Sequence, residues 1–313
     1  MQRCPTNGKH LIGCTAIDHS LPRRAFLGGM MSLPLPFSVA SAGQPRRIAA
    51  LDWTSAQNLL ALGANVVALP ELHRYRERVV EPQPQPGTYD LGLRSEPNLE
   101  LLDSLAPDLI VMHPELETLR PSLNTIATVT VFDPDASGDT DRSDRLSDAR
   151  QNLNNLARSI TMPDAFAASM NAFEAAIAEA ATRLRGHDGR PAYIVTLMDT
   201  RRALVFGRNS LFQSVFDLFS IENAWDGPTS PYGHTTITLD ALAGRPDASL
   251  LSIGRESRQL LTSALRSPVV ASLPYVRENR AVAIDDVLFY GGLPSAQRFA
   301  RLASMALSGT ASQ

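Results

Sequence analysis

Residues 161–186, TMPDAFAASMNAFEAAIAEAATRLRG, constrain the fold more than any other stretch of the chain. Thr161 is a suitable N-cap, Pro163 suits the first helical turn, and Gly186 suits the end. Apolar side chains recur between them at helical spacing, at Phe166, Met170, Phe173, Ile177 and Leu184. Alanine, the strongest helix former, fills most other positions. A helix of about 22 residues spans roughly 33 Å, which suits a connection between two lobes.

On the N-terminal side of this helix, short apolar runs alternate with helical patterns. The predicted strands are residues 47–51, 65–69, 109–112 and 129–132. The predicted helices are residues 54–62, with Thr54 as N-cap and Gly63 just past the end, and residues 96–105. This alternation predicts a mostly parallel sheet with helices on both faces.

The same rhythm restarts after Pro191. Strands are predicted at residues 193–197, 204–206, 250–253 and 281–284, and helices at 211–219 and 295–307. The fold class is therefore α/β, with two lobes joined by a single long helix. The predicted divisions are an N-terminal lobe at 46–160, a bridging helix at 161–187, and a C-terminal lobe at 190–309.

Residues 1–42 have the layout of a secretory signal peptide. The pair Arg23-Arg24 precedes an apolar stretch from Ala25 to Val39 and small residues at 40–42. The sequence PRRAFL resembles the twin-arginine export motif. The apolar stretch falls short of the roughly 20 residues that a membrane span needs. We therefore expect export to the periplasm, with both cysteines (Cys4 and Cys14) removed.

Composition narrows the class of protein further. The chain has 313 residues, 44% of them hydrophobic, and a formal net charge of −3. This is enough apolar material for a core, and no basic patch indicates a nucleic-acid partner. The sequence contains no GxSxG, P-loop, HExxH or GxGxxG motif. We expect a soluble, monomeric binding protein with no catalytic activity and no cofactor.

Three segments contain candidate ligand-binding residues. Arg94 follows a Gly-Leu pair just before a predicted helix and could donate to oxyanions, although a surface salt bridge with Glu96 or Glu100 is the simpler reading. Trp225 and Tyr232 lie in a stretch rich in Gly, Pro and Ser; Trp225 could instead fill the core. Tyr290 precedes two glycines, which permit either a close approach to a ligand or simply a tight turn.

Two patterns raise the question of metal binding. Acidic residues between Asp133 and Asp144 follow the spacing of a calcium loop, but they sit between a strand and a helix, and a solvated connector is the simpler interpretation. A bare-metal site would require His73, His113 and His234 to converge. We predict no bound metal in the protein itself.

Five segments, in chain order, resemble one known family. They are LDWTSAQNLLALG, GLRSEPNLELL, LVFGRNSLFQ, IENAWDG and LFYGG. The likeness is to the FhuD family of periplasmic iron(III)-hydroxamate (ferrichrome) siderophore-binding proteins, which serve ABC importers. It implies a shallow inter-lobe cleft. The ligand-binding residues that it implies are Arg94, Trp225, Ser230, Tyr232 and Tyr290.

The resemblance also implies how the ligand is held. Arg94 would donate to the hydroxamate oxygens, and the rings would cover the organic body, so that no protein atom binds the iron. Arg78 and Leu288 stand where the family can have tryptophans, and the loop from His113 to Glu117 lacks the family's cleft tyrosine. An inner-membrane ABC permease would dock on Glu117 and Asp240. Alternative cargoes on this scaffold are a cobalamin, haem, another ferric chelate or a bare metal ion.

Overall fold

The structure is a computed structural model that describes residues 46–134, 144–264 and 266–310. The predicted export signal lies outside these residues. The strands of the N-terminal half are β1 (Arg47–Ala50), β2 (Asn65–Leu69), β3 (Tyr89–Asp90), β4 (Gly92–Leu93), β5 (Glu96–Pro97), β6 (Leu109–Met112) and β7 (Thr128–Val131). Its first helices are α1 (Trp53–Ala61), α2 (Leu72–Arg78), α3 (Leu99–Ser104) and α4 (Arg120–Leu123), with a 3-10 helix at Pro114–Leu119.

The N-terminal sheet is parallel throughout, in the order β3-β2-β1-β6-β7. This confirms the predicted parallel sheet, and two details differ. The N-cap of α1 is Asp52, whose carboxylate accepts from the Ser55 amide at 2.7 Å, so the Thr54 cap was wrong. Residues 96–97 pair with β4 in a hairpin, and the following helix starts later because Asn98 caps it.

Helix α5 (Arg145–Ser159) ends the N-terminal half, and α6 (Pro163–Arg183), followed by a 3-10 turn at Leu184–Gly186, connects it to the C-terminal half. Helix α6 is the predicted long helix. Thr161 does not cap it, because Thr161 has a φ of 61° and ends α5 instead, and the N-cap position falls on Met162. Helix α5 was not predicted, although Asp144 caps it through the Ser147 amide at 2.9 Å.

The C-terminal half contains β8 (Ala192–Leu197), β9 (Arg202–Phe206), β10 (His234–Thr238), β11 (Ser249–Ile253) and β12 (Ala281–Ile284). Its helices are α7 (Leu211–Asp217), α8 (Ser257–Ala264), α9 (Pro268–Ala271), α10 (Pro274–Arg277) and α11 (Leu293–Thr310), with a 3-10 helix at Leu239–Gly244. The sheet order is β10-β9-β8-β11-β12.

Strands β9 and β10 are antiparallel to their neighbours, unlike the predicted βα rhythm. The reason is the tight turn after β8, where the Asp199 carboxylate accepts from the amides of Arg201 and Arg202, each at 2.8 Å. A connection this short cannot carry the crossover that a parallel pair needs.

The two halves share one hydrophobic core. Alternation along β1 sends Ile48 and Ala50 into this shared core, and Ala49 and Leu51 to the opposite face of the sheet. Strand β8 divides in the same way, with Ile194 in the shared core. Helices α6 and α11 pack together within it. Among the described helices, none combines the length and apolar character needed to cross a membrane.

Candidate functional site

A cleft that is open to solvent draws its walls from both halves of the chain. One side comes from α1, the end of the N-terminal sheet and α5, and the other from loops of the C-terminal half. The lining residues are Asn58, Phe132, Pro134, Arg145, Asp148, Ala149, Asn152, Leu211, Tyr232, Phe289, Tyr290 and Gly292. The cleft therefore has aromatic and polar walls and suits an organic ligand with polar groups.

Tyr232, His234 and Tyr290 form a cluster at this cleft, called here the aromatic cluster. The ring centroids of Tyr232 and Tyr290 are 6.1 Å apart, and His234 lies 6.0 Å from Tyr290 and 6.5 Å from Tyr232. The Tyr290 hydroxyl and the His234 Nε2 atom share a hydrogen bond. Burial lowers the pKa of His234, which favours its neutral form. His234 was predicted only as a metal candidate, and its place between two tyrosines was missed.

The two tyrosines remain accessible. Tyr232 is 58% exposed and Tyr290 39% exposed, although both are large aromatic residues. Phe206, which is 2% exposed, packs edge-on against His234 and Phe289, with centroids 6.0 Å and 4.9 Å away. Exposed rings on a rigid buried base provide contact area for a ligand at little entropic cost.

The backbone around Ser230 explains how Tyr232 is presented. The Ser230 amide donates to the His234 carbonyl at 3.0 Å, and the Ser230 hydroxyl accepts from the Tyr232 amide at 3.3 Å. Gly233 has a φ of 81°, and a Cβ there would lie 2.7 Å from the Asn209 carbonyl oxygen. The turn therefore requires glycine and holds Tyr232 outward. Whether Ser230 also contacts a ligand through water stays a prediction.

Gly291, the first glycine after Tyr290, serves internal packing rather than the approach of a ligand. A Cβ on Gly291 would lie 2.0 Å from the Gln57 side-chain oxygen and 2.0 Å from the Ser295 hydroxyl. The loop therefore sits directly against α1, where the Asn58 amide group donates to the Gly291 carbonyl at 2.9 Å. These contacts fix the loop that carries Tyr290.

Arg94 lies on the N-terminal half, apart from the residues that line the cleft. Its Nε donates to the Glu71 carboxylate at 2.8 Å, and its guanidinium lies 3.9 Å from the centroid of the Trp53 ring. Its partner is thus Glu71 and neither of the expected local alternatives, Glu96 and Glu100. The Arg94 side chain is 44% exposed. Trp53, which was not predicted as a site residue, gives Arg94 a cation–π platform.

Trp225 is not brought to the aromatic cluster. It packs on the opposite face of the C-terminal sheet, with Ala224 and Ile237, so the core interpretation describes its position better than ligand binding. A Cβ on Gly227 would lie 2.5 Å from the Trp225 ring, so this glycine accommodates the indole. We therefore leave Trp225 out of the proposed site.

Ion pairs connect the two halves. Arg78 at the end of α2 donates to Glu256 at 2.8 Å and lies 3.4 Å from the Asp286 carboxylate. Arg298 and Arg301 of α11 both bind the Glu81 carboxylate. The paired residues are more than 170 positions apart in sequence, and no local pattern pointed to them. Arg78 thus has a structural partner at a position where the resemblance implied a cleft aromatic.

Arg145 joins α5 to the loop that carries Tyr232. Its Nε donates to the Asn209 carbonyl at 3.0 Å, and its Nη2 donates to the Pro231 carbonyl. Its backbone amide donates to the Ser214 hydroxyl at 3.1 Å. The first turn of α5 therefore positions the aromatic cluster, and this link was not predicted.

Within the described residues, His73, His113 and His234 do not converge on one site. His73 pairs with Glu77 on α2, His113 accepts from the Glu115 amide at 3.3 Å, and His234 belongs to the aromatic cluster. No group of three or more potential metal ligands occurs in the described parts of the chain. Of the calcium-like segment, residues 135–143 lie outside the described residues, while Asp144 caps α5.

The two predicted docking carboxylates are exposed. Glu117 lies on the 3-10 helix after β6, where its carboxylate accepts from Arg120 at 3.0 Å, and this bond lowers the pKa of Glu117. Asp240 lies in the first turn of the 3-10 helix after β10. Both are accessible to a partner protein, and their role stays a prediction.

Comparisons with known proteins agree with this architecture. Residues 48–288 match the model of the family described as periplasmic binding protein. The iron(3+)-hydroxamate-binding protein FhuD of Escherichia coli (strain K12) is 32% identical over 295 residues, which cover 93% of this chain and 98% of that protein.

Solved structures show the same fold. FhuD from Vibrio cholerae, with Fe3+-Desferal bound, matches with a TM-score of 0.76 at 23% identity, covering 85% of this chain and 99% of that one. FhuD2 from Staphylococcus aureus, with bound ferrioxamine B, matches with a TM-score of 0.64 at 15% identity, covering 85% and 100%. By its family match and its identity to FhuD, this chain belongs to the periplasmic binding protein family.

Proposed function

We propose that this chain is a periplasmic solute-binding protein that captures iron(III)-hydroxamate siderophores and delivers them to an ABC importer. It is exported through the twin-arginine-type signal in residues 1–42 and acts as a monomer. It binds its cargo between an N-terminal lobe (46–160) and a C-terminal lobe (190–309), which are joined by the helix at 161–187. It performs no chemistry on its cargo and carries no cofactor.

The observation that carries the proposal is the aromatic cluster at a cleft shared by both halves, in a chain 32% identical to FhuD. A ferric hydroxamate presents a ring of partly negative oxygens around a caged ion, within an organic body. Exposed tyrosine rings cover such a body, and hydroxyl and guanidinium donors bind such oxygens. Side chains that could ligate iron directly are not needed.

The relative orientation of the two halves is held by packing and by ion pairs. The two halves share a core, and the ion pairs Arg78–Glu256 and Glu81–Arg298 join them. We therefore expect a small change of lobe orientation on binding, because closing or opening the cleft would have to break buried packing and ion pairs together.

A titration tests this function. Purified protein is mixed with a cyclic ferric trihydroxamate, a linear ferric trihydroxamate, haem, a cobalamin and zinc, and its intrinsic fluorescence is recorded. Saturable quenching with one-site stoichiometry by the hydroxamates alone supports the proposal. A saturable response to haem, the cobalamin or zinc alone supports a different cargo on the same scaffold, and no response to any of them contradicts a capture role.

Replacing Arg94 with alanine is expected to weaken the binding of a ferric trihydroxamate at least tenfold. Its guanidinium rests on Trp53 and remains 44% exposed, so it can donate charge-assisted bonds to the ligand's oxygens. Isothermal titration calorimetry measures the change. The matched control is Arg74→Ala, because Arg74 also pairs with Glu71, at 3.5 Å. Equal affinities for the two variants would remove Arg94 from the site.

Replacing Glu117 and Asp240 together with alanine is expected to abolish siderophore-dependent growth while leaving ligand affinity within twofold. These exposed carboxylates would pair with basic residues of the permease. Growth of a complemented strain on the ferric siderophore as sole iron source gives the first readout, and calorimetry the second. Exposed Asp188 and Glu179, replaced in the same way, provide the control. Normal growth of the double variant would show that docking uses other residues.

A further inference from the structure

The polar wall of the cleft contains a buried acceptor without a donor. Asn58 is 1% exposed, and its Oδ1 atom has no hydrogen-bond partner. Its amide orientation is fixed, since Nδ2 donates to the Thr54 carbonyl at 2.8 Å and to the Gly291 carbonyl at 2.9 Å. Exchanging the two amide atoms would set an oxygen against both carbonyls. Oδ1 is therefore the atom that lacks a donor.

A glycine lies directly beside this oxygen. Gly292 lines the cleft beside Asn58, and a Cβ on Gly292 would lie 3.2 Å from Oδ1. The missing side chain leaves room at the backbone for a narrow group. A buried acceptor is costly to leave without a donor, so a donor that reaches Oδ1 beside Gly292 stabilises the complex more than one that meets an exposed acceptor.

The surrounding walls indicate which chemical class fits. Tyr232, Phe289 and Tyr290 present apolar faces, and Asn152 contributes a second amide. The charged groups among the lining residues are Arg145 and Asp148, one positive and one negative on the same helix. A pocket with balanced charge, amide groups and aromatic faces suits a neutral arm with a methylene chain and an N–H donor.

We propose that this part of the cleft is a subsite for the amide-bearing arm of a linear siderophore, with Asn58 Oδ1 accepting the amide N–H. The inference rests on the proposed function and deepens it: the aromatic cluster contacts the ferric core, and the subsite distinguishes linear ligands with an arm from macrocycles without one. Asn58 and Gly292 then determine specificity, while the cluster determines general affinity.

The test uses three ferric ligands with the same hydroxamate core: a linear trihydroxamate with a terminal amine, its N-acetylated form, and a macrocyclic trihydroxamate. Calorimetry gives the affinity of each for the wild type and for Gly292→Ala, which places a methyl group beside Asn58 Oδ1. We expect the N-acetylated ligand to lose at least tenfold in affinity for this variant, and the macrocycle to change by less than twofold.

The control for backbone strain is Gly63→Ala. Gly63 has a φ of 71°, against 70° for Gly292, and a Cβ there meets nothing within 4 Å. This variant should bind all three ligands as the wild type does. Thermal unfolding of Gly292→Ala, compared with that of Gly63→Ala, shows whether Gly292→Ala has folded.

The outcomes separate the two proposals. If the wild type binds none of the ligands, the proposed function fails. If it binds all three and the ratio of N-acetylated to macrocyclic affinity in Gly292→Ala equals the ratio in the wild type, the subsite is wrong. A loss confined to the free-amine ligand would also contradict it, because that result indicates recognition of a cation rather than of an amide.

Discussion

Alanine at both Tyr232 and Tyr290 is expected to weaken the binding of a ferric trihydroxamate at least about a hundredfold. The two rings are 58% and 39% exposed and would be covered by the ligand. Each buried aromatic contact is worth roughly 1.5 kcal/mol, and two of them correspond to about a hundredfold in affinity. Calorimetry on the wild type and the double variant measures the loss directly.

The matched control is Tyr89→Ala. Tyr89 is 51% exposed, similar to the two cluster tyrosines, but it lies on the edge strand β3 and does not line the cleft. Its replacement should leave affinity within twofold. A double variant that binds as tightly as the Tyr89 variant would place the ligand away from the aromatic cluster. Phe at both positions should retain most of the affinity if stacking, rather than the hydroxyl groups, dominates.

The largest effect on stability is expected at Glu81. Its carboxylate binds both Arg298 and Arg301, and the Arg298 side chain is only 4% exposed. Burial lowers the pKa of Arg298, while the charge of Glu81 acts in the opposite direction. Without Glu81 the guanidinium stays buried and keeps the Asp286 carbonyl as an acceptor at 2.8 Å. Because Glu81 is itself half-exposed, we expect Glu81→Ala to cost about 2–3 kcal/mol, below the full value for a buried pair.

Urea unfolding of the wild type and Glu81→Ala gives this free energy. Glu179→Ala is the comparison, since Glu179 pairs with Arg183 one helical turn away and is 61% exposed. That variant should cost less than about 0.5 kcal/mol, as surface pairs do. Similar losses for the two variants would mean that the ion pair between the halves contributes no more than an ordinary surface pair.

Much of the fold followed from local patterns. The strand Asn65–Leu69 was predicted to the residue, and the long helix, predicted at 161–187, runs from Pro163 to Arg183, because both show their periodicity within a single segment. Helix α5 was missed because it is polar over most of its surface. Its buried residues recur at helical spacing, however, at Leu146, Ala149, Leu153, Leu156 and Ala157, and this pattern could have identified it.

The site was predictable only in part. Tyr232 and Tyr290 were identified from their glycine-rich surroundings, and the structure brings them together. Their partnership with His234 depends on pairing β9 with β10, and that register is set by contacts that no local pattern contains. Trp225 shares the same kind of loop as Tyr232 but faces the other side of the sheet. The composition of a loop therefore does not predict whether a particular aromatic side chain in it faces the core or the solvent.

The pairing of Arg94 illustrates the same limit. Sequence proximity favoured Glu96 and Glu100, whereas the fold places Glu71 within 2.8 Å. Glu71 lies just after β2, and the hairpin of β4 and β5 returns Arg94 to that strand end through the bond between the Glu71 amide and the Gly92 carbonyl. A partner 23 residues away is determined by topology rather than by spacing.

The central claim is that the outside of a caged ferric ion is held by the aromatic cluster, without protein ligands to iron. The most direct measurement is a crystal structure of the protein with a ferric trihydroxamate, with the iron located by its anomalous scattering. We predict an iron position beside Tyr232 and Tyr290, coordinated only by siderophore oxygens. Iron bound directly by protein side chains, or a siderophore seated away from these two rings, would contradict the account.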